Sequence, residues 1–165
     1  MTDAAHSFEL DVPPVEERPS GDFIDGYLAG MATATAALSG MGEVAFFYSF
    51  DWIGDGEEER EQALLAAFDS DAEEMSFDLG EARNWRGDLE ALGKKWLARK
   101  MPEPVVTEFV ELMETFFGSD DIEVYRVLPR AEGPKAKVLG SDYDHLLFET
   151  PDGRLLLEFS MAGEA

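Results

Sequence analysis

The chain has 165 residues, with 36 Asp and Glu against 13 Lys and Arg, no Cys, and a formal net charge of −23. A field of that sign repels phosphate, so direct binding to DNA, RNA or an anionic membrane surface is disfavoured, and the favoured partners are cationic. The lack of cysteine excludes disulfides, thiolate metal sites and cysteine nucleophiles, while 45% apolar and 12% aromatic residues suffice for a packed core.

This length suits one domain. Residues 1–20 hold Pro13, Pro14 and Pro19 among acids and read as an N-terminal arm; residues 21–165 read as a single α+β domain. The opening MTDAAHSFELD is acidic where a secretory signal needs a cationic start. The apolar run Tyr27–Met41 is broken by Gly30, Thr33, Thr35, Ser39 and Gly40, too polar for a membrane span. A cytoplasmic protein is expected.

The first helix opens at Asp22, with Asp25 as a capping-box partner and Gly40 and Gly42 as its stop. Val44–Ile53 alternates as a strand with apolar residues on both faces, which predicts a central, covered strand. Glu57–Phe68 reads as a helix capped by Asp55 and Glu58, and Met75–Leu79 as a short extended piece. Residues 81–100 read as a helix with Trp85, Leu89, Leu92 and Trp96 inward. Val105–Phe117 is a further amphipathic helix, stopped by Gly118. Ile122–Leu128 and Ala136–Leu139 read as strands. The final stretch YDHLLFETPDGRLLLEFSM reads as a hairpin turning at Pro151-Asp152-Gly153. Helices first and strands last predict α+β, with a mostly antiparallel sheet and a C-terminal β-hairpin.

The acids are concentrated early. Residues 1–82 carry 20 of them against only Arg18 and Arg60. The stretch FDWIGDGEEER, Phe50 to Arg60, is the densest. It fails the calcium-loop pattern: counted from Asp51, the third position is Ile53 and the twelfth Gln62. Counted from Asp69, the sixth is Glu74 and the twelfth Gly80. A strand end and helix start account for Asp55 and the first glutamates. They leave Glu61, Asp69, Asp71, Glu73 and Glu74 unexplained, because surface helices normally interleave both signs.

Other chemistry is sparse. Arg83, Arg86, Lys94, Lys95, Arg99 and Lys100 flank Trp85 and Trp96. They read as core tryptophans whose basic neighbours face solvent or the acidic half. His145, beside Asp142 and Asp144, reads as a local ion pair. No GxGxxG, GxxxxGK[ST] or GxSxG motif is present.

Acidity, the absence of a catalytic motif, and the hairpin of YDHLLFETPDGRLLLEFSM together resemble the small acidic bacterial immunity proteins of toxin–immunity systems. Phe50-Asp51-Trp52 is similar to a strand end in other bacterial families of this size. The resemblance implies an inhibitor of a basic toxin. The expected function is an acidic protein-binding module that occludes a basic partner, without cofactor or metal. Its expected partner-binding residues are Asp51, Trp52, Ile53, Asp55, Glu57, Glu58, Glu59, Glu61, Asp69, Asp71, Glu73, Glu74 and Phe77, with Trp52, Ile53 and Phe77 as apolar anchors. Three alternatives stay open: a divalent-metal site or hydrolase built on Asp51 and Asp55, a mimic of nucleic-acid phosphate, and a surface acidified for a high-salt host.

Overall fold

The computed structural model describes residues 18–39, 44–134, 136 and 139–162. Most of the expected arm therefore lies outside the described residues. The strands are β1 (Ala45–Gly54), β2 (Met75–Glu81), β3 (Glu123–Ala131), β4 (Asp142–Thr150) and β5 (Gly153–Ala162). They form one antiparallel sheet in the order β1-β5-β4-β3-β2. The helices are α1 (Gly21–Ser39), α2 (Arg60–Ala67), α3 (Trp85–Leu92) and α4 (Pro104–Phe117). The fold is α+β with a C-terminal hairpin, as the periodicity predicts. Among the described residues no helix is long and apolar enough to cross a membrane.

The hairpin β4–β5 lies at the heart of the sheet. Its apolar runs are continuous, and Leu146, Leu147, Phe148, Leu155, Leu156 and Leu157 are all buried. Such runs belong to strands covered on both faces. Thr150 Oγ accepts the N–H groups of Asp152 and Gly153 to close the turn. Gly153 has φ 146°, and a Cβ there would sit 2.5 Å from the Gly54 carbonyl, so no other residue fits.

Helices α1, α3 and α4 cover one face. Ser20 Oγ accepts the Phe23 N–H and caps α1, so the expected Asp22–Asp25 box does not form. Asp25 instead accepts the N–H of Phe50 on β1, at 2.9 Å. Ile24, Leu28, Ala32 and Thr35 form the buried stripe of α1. On α4, Val106, Phe109, Met113 and Phe117 do the same.

The expected helix over 81–100 is two pieces. After α3 the chain widens into a π-helical turn, Gly93–Leu97. A π turn carries one extra residue, which rotates the chain and brings both Trp96 and Leu97 inward. Gly93 is needed there because a Cβ would meet Val106 Cγ1 at 2.9 Å. Trp96 stacks on Phe159 at 5.9 Å, Phe117 stacks on Phe148 at 4.8 Å, and Tyr48 donates its buried hydroxyl to the Trp96 carbonyl at 2.8 Å. Truncating such a buried ring to Ala costs roughly 3–5 kcal/mol.

Two strand expectations need correction. β1 is an edge strand, not a central one. Phe46, Tyr48 and Phe50 are buried, but Phe47 on the opposite face is 57% exposed, so the double apolar pattern reflects an uncovered face. Of the expected strand Ala136–Leu139, Ala136 is helical and Leu139 lies in a turn, while Lys137 and Val138 lie outside the described residues.

Among the described residues, only the short helix α2 covers the second face. Leu64 packs on Val127, Leu147 and Leu156, with Ile53, Phe68, Phe77 and Tyr125 around them. An ion network holds its start. Glu149 accepts from Arg60 at 2.6 Å and from Arg154 at 2.5 Å. Arg154 also donates to the Glu58 carbonyl, and Arg60 lies over the Tyr125 ring. Burial alone would raise the Glu149 carboxyl, but the hydrogen bonds from Arg60 and Arg154 outweigh it and hold it below the usual range. A depressed pKa means that this stabilisation is full above the ordinary value of 4.5 and is lost as pH falls through the folded value. Glu149→Gln is therefore expected to lower stability by about 2 kcal/mol at neutral pH in urea unfolding. The gap from the unaltered protein should shrink below about pH 4.5. A gap that stays constant on acidification would refute the role given to this carboxylate.

Candidate partner-binding surface

The acidic segment wraps α2 from both ends. β1 ends at Gly54, and the loop that follows carries Asp55, Glu57, Glu58 and Glu59 to the start of α2. Asp55 Oδ1 accepts the Glu57 N–H at 3.0 Å, which makes a loop turn and not a helix cap. The helix begins later than its sequence suggests, at Arg60, with Glu59 at the N-cap position and no side-chain cap bond. The expected Asp55–Glu58 capping box is therefore absent. Glu58 instead folds back over Gly54, whose φ of 148° favours glycine.

Beyond α2, Asp69 adopts φ 49°, and Asp71 Oδ1 accepts the N–H groups of both Glu73 and Glu74 at 3.0 Å. Asp55 and Asp71 thus have structural work that the sequence reading gave to helix capping or left unexplained. Glu57, Glu59, Glu61, Glu73 and Glu74 are exposed.

The placement of the cations sets the character of this surface. Arg86 pairs with Glu114, Lys94 with Glu90, Lys95 with Asp142 and Asp144, Arg126 with Asp88, and Arg130 with Asp78. Arg83 pairs with Glu81 and Arg18 with Asp120. Among the described residues, no ion pair reaches Asp51, Asp55, Glu57, Glu58, Glu59, Glu61, Asp71, Glu73 or Glu74. Of the basic residues of 83–100, Arg86, Lys94 and Lys95 thus pair with acids of their own half. A groove of about 450 Å³ beside α3, floored by Leu128 and Leu146, has its rim acids Asp78, Asp88 and Asp144 already paired.

The three expected anchors separate. Asp51 and Ile53 face α2, because alternate residues of a strand share a face. Ile53 packs with Leu64, and Phe77 lies 5.4 Å from Phe68, so both are half-buried beside the acids. Trp52 points the other way, against Gly21 of α1, and remains 48% exposed. The same alternation puts His145 on the opposite face from Asp142 and Asp144. It is buried beside Phe68, with Nε2 3.7 Å from Glu158, so the expected local pairing with the aspartates does not occur.

Sequence reasoning missed a second acidic gathering. Asp22 and Asp25 on α1, Asp51 on β1 and Glu158 on β5 converge at the sheet edge. Burial, then the charges of Asp25, Glu158 and Asp22, push the Asp51 carboxyl above its ordinary value. No signal in the sequence marks this set, because its members come from three elements. Among the described residues no three His, Asp or Glu side chains come together in a way that could hold a metal ion.

A raised carboxyl pKa means that ionised Asp51 opposes folding at neutral pH, and that this opposition disappears below the ordinary value of 3.8. Asp51→Asn is expected to raise Tm by roughly 1–2 °C near pH 7, with no gain at about pH 3, as read by calorimetry. A lower Tm at neutral pH would show that the charge is instead compensated.

No protein-family model matches this chain, and no curated protein matches it either.

Proposed function

We propose that this protein is a protein-binding module whose acidic α2 surface docks on a basic partner and occludes it. An immunity protein that blocks a cognate toxin is its most concrete form. One observation carries the reading: among the described residues no ion pair reaches Asp55, Glu57, Glu58, Glu59, Glu61, Asp71, Glu73 or Glu74 around α2, whereas about half of the carboxylates from Asp78 onward pair with Lys or Arg. Uncompensated like charges on one surface cost stability in the free protein. They return that cost when a cationic surface arrives, and they speed its approach.

The charges alone give little affinity, since exposed pairs contribute about 0–1 kcal/mol each. The half-buried Ile53 and Phe77 supply apolar area beside them. Steric blocking needs no catalytic group, so this reading requires none.

The test is capture from the native lysate, in low salt and again at about 0.5 M salt, where charge is screened within a few ångströms. One stoichiometric basic protein should survive the wash. A variant combining Glu57→Lys, Glu59→Lys and Glu61→Lys should lose it, weakening Kd by roughly tenfold or more, with Tm changed by no more than about 2 °C. Glu58 is left intact because it packs over Gly54. Equal capture by the reversed variant, or a set of proteins that all wash off, would remove the support for a specific acidic docking surface.

A further inference from the structure

We propose that the outer edge of β1 is a second contact for the same partner, where a cationic extended segment adds to the sheet alongside Ala45–Ser49. This rests on the reading of the protein as an acidic binding module, and it names the shape and place of what is bound.

The backbone provides the first argument. Among the described residues β1 pairs only with β5, and no strand takes its other edge. Antiparallel pairing points the N–H and C=O of alternate residues outward. The Phe50 N–H, held by Asp25, identifies the outward set, and Phe46 and Tyr48 share its parity. Among the described residues, no hydrogen bond takes their N–H groups. Edges of this kind are where extended peptides add to sheets.

Space provides the second. A trough of about 850 Å³ runs between this stretch and the flank of α1. The flank presents Ala29, Thr33 and Ala36, small side chains that let a backbone come close. Asp25 closes the trough at Phe50, which limits the added strand to about five residues. Phe47, 57% exposed, offers an apolar contact for side chains on the α2 side of the added strand.

Charge selects the occupant. Asp22, Asp25, Asp51 and Glu158 border the edge, and among the described residues none forms an ion pair with Lys or Arg. Arg99 lies over the Phe46 ring at 5.7 Å, at the opposite end of the trough. A second copy would bring the same carboxylates and a further net charge of −23. The chain's own residues 1–17 carry Asp3, Glu9, Asp11, Glu16 and Glu17 with no Lys or Arg. Both are repelled, whereas a basic strand is attracted.

Amide exchange of the full chain, mixed with a short peptide of alternating lysine and valine, tests the proposal. The Phe46 and Tyr48 amides should slow by roughly tenfold or more. The matching glutamate–valine peptide should leave them unchanged. Phe47→Lys combined with Ser49→Lys should abolish the slowing, with a thermal melt to verify folding. The Glu57→Lys, Glu59→Lys, Glu61→Lys variant should retain it. Equal slowing by both peptides, or no slowing with the lysine peptide, overturns the edge proposal. If the lysine peptide perturbs only Glu57–Glu61, the edge proposal falls while the acidic α2 surface stands.

Discussion

The β4–β5 hairpin must be covered on both faces, and the rest of the molecule follows from that. Its leucines and phenylalanines leave no solvent side. Three helices meet the need on one face, with Phe148 and Phe159 as the residues they close over. Among the described residues the other face has only α2, eight residues long. A helix so short has little stability of its own, so it depends on the sheet. Leu64 fastens its middle, and the Arg60–Glu149–Arg154 network fastens its start. Buried polar anchors of this sort fix one position among several that greasy contacts alone would allow.

The thin cover has an electrostatic counterpart. Thirteen bases cannot neutralise 36 acids, so their placement decides which surface stays charged. Two of them, Arg60 and Arg154, serve the network under α2. Most others pair with acids carried by α3, α4 and the β2–β3–β4 part of the sheet. Among the described residues, no ion pair reaches Asp55, Glu57, Glu58 or Glu59 before α2, or Asp71, Glu73 or Glu74 after it. The acidic surface thus arises where the supply of cations stops.

Much of this was legible in the sequence because period is local. The stripe of α4 and the Pro151-Asp152-Gly153 turn need no knowledge of the rest of the chain. The rank of β1 in the sheet was not legible. Phe47 and Ile53 make its second face look covered, and only the pairing of β5 with β4 shows that it is an edge. The π turn at Gly93 was hidden too, since one inserted residue brings Leu97 inward beside Trp96 without changing composition. In the candidate site, the abundance of carboxylates was plain, but Asp55 and Asp71 were misjudged because loop turns and helix caps use the same residues. The gathering of Asp22, Asp25, Asp51 and Glu158 was invisible, since tertiary contact alone creates it.

Asp25 has a consequence beyond its bond to Phe50. An open edge strand is a template for runaway pairing between identical chains. By sitting across the edge, Asp25 acts as a stop that shortens the template, and the neighbouring carboxylates hold identical molecules apart. Both defences depend on ionised oxygens. Burial and the neighbouring carboxylates push the Asp51 carboxyl above its ordinary value, so its part of the guard weakens as the pH falls. Like charge at one strand edge thus opposes pairing between identical chains there, and that opposition fades as the carboxylates lose their charge.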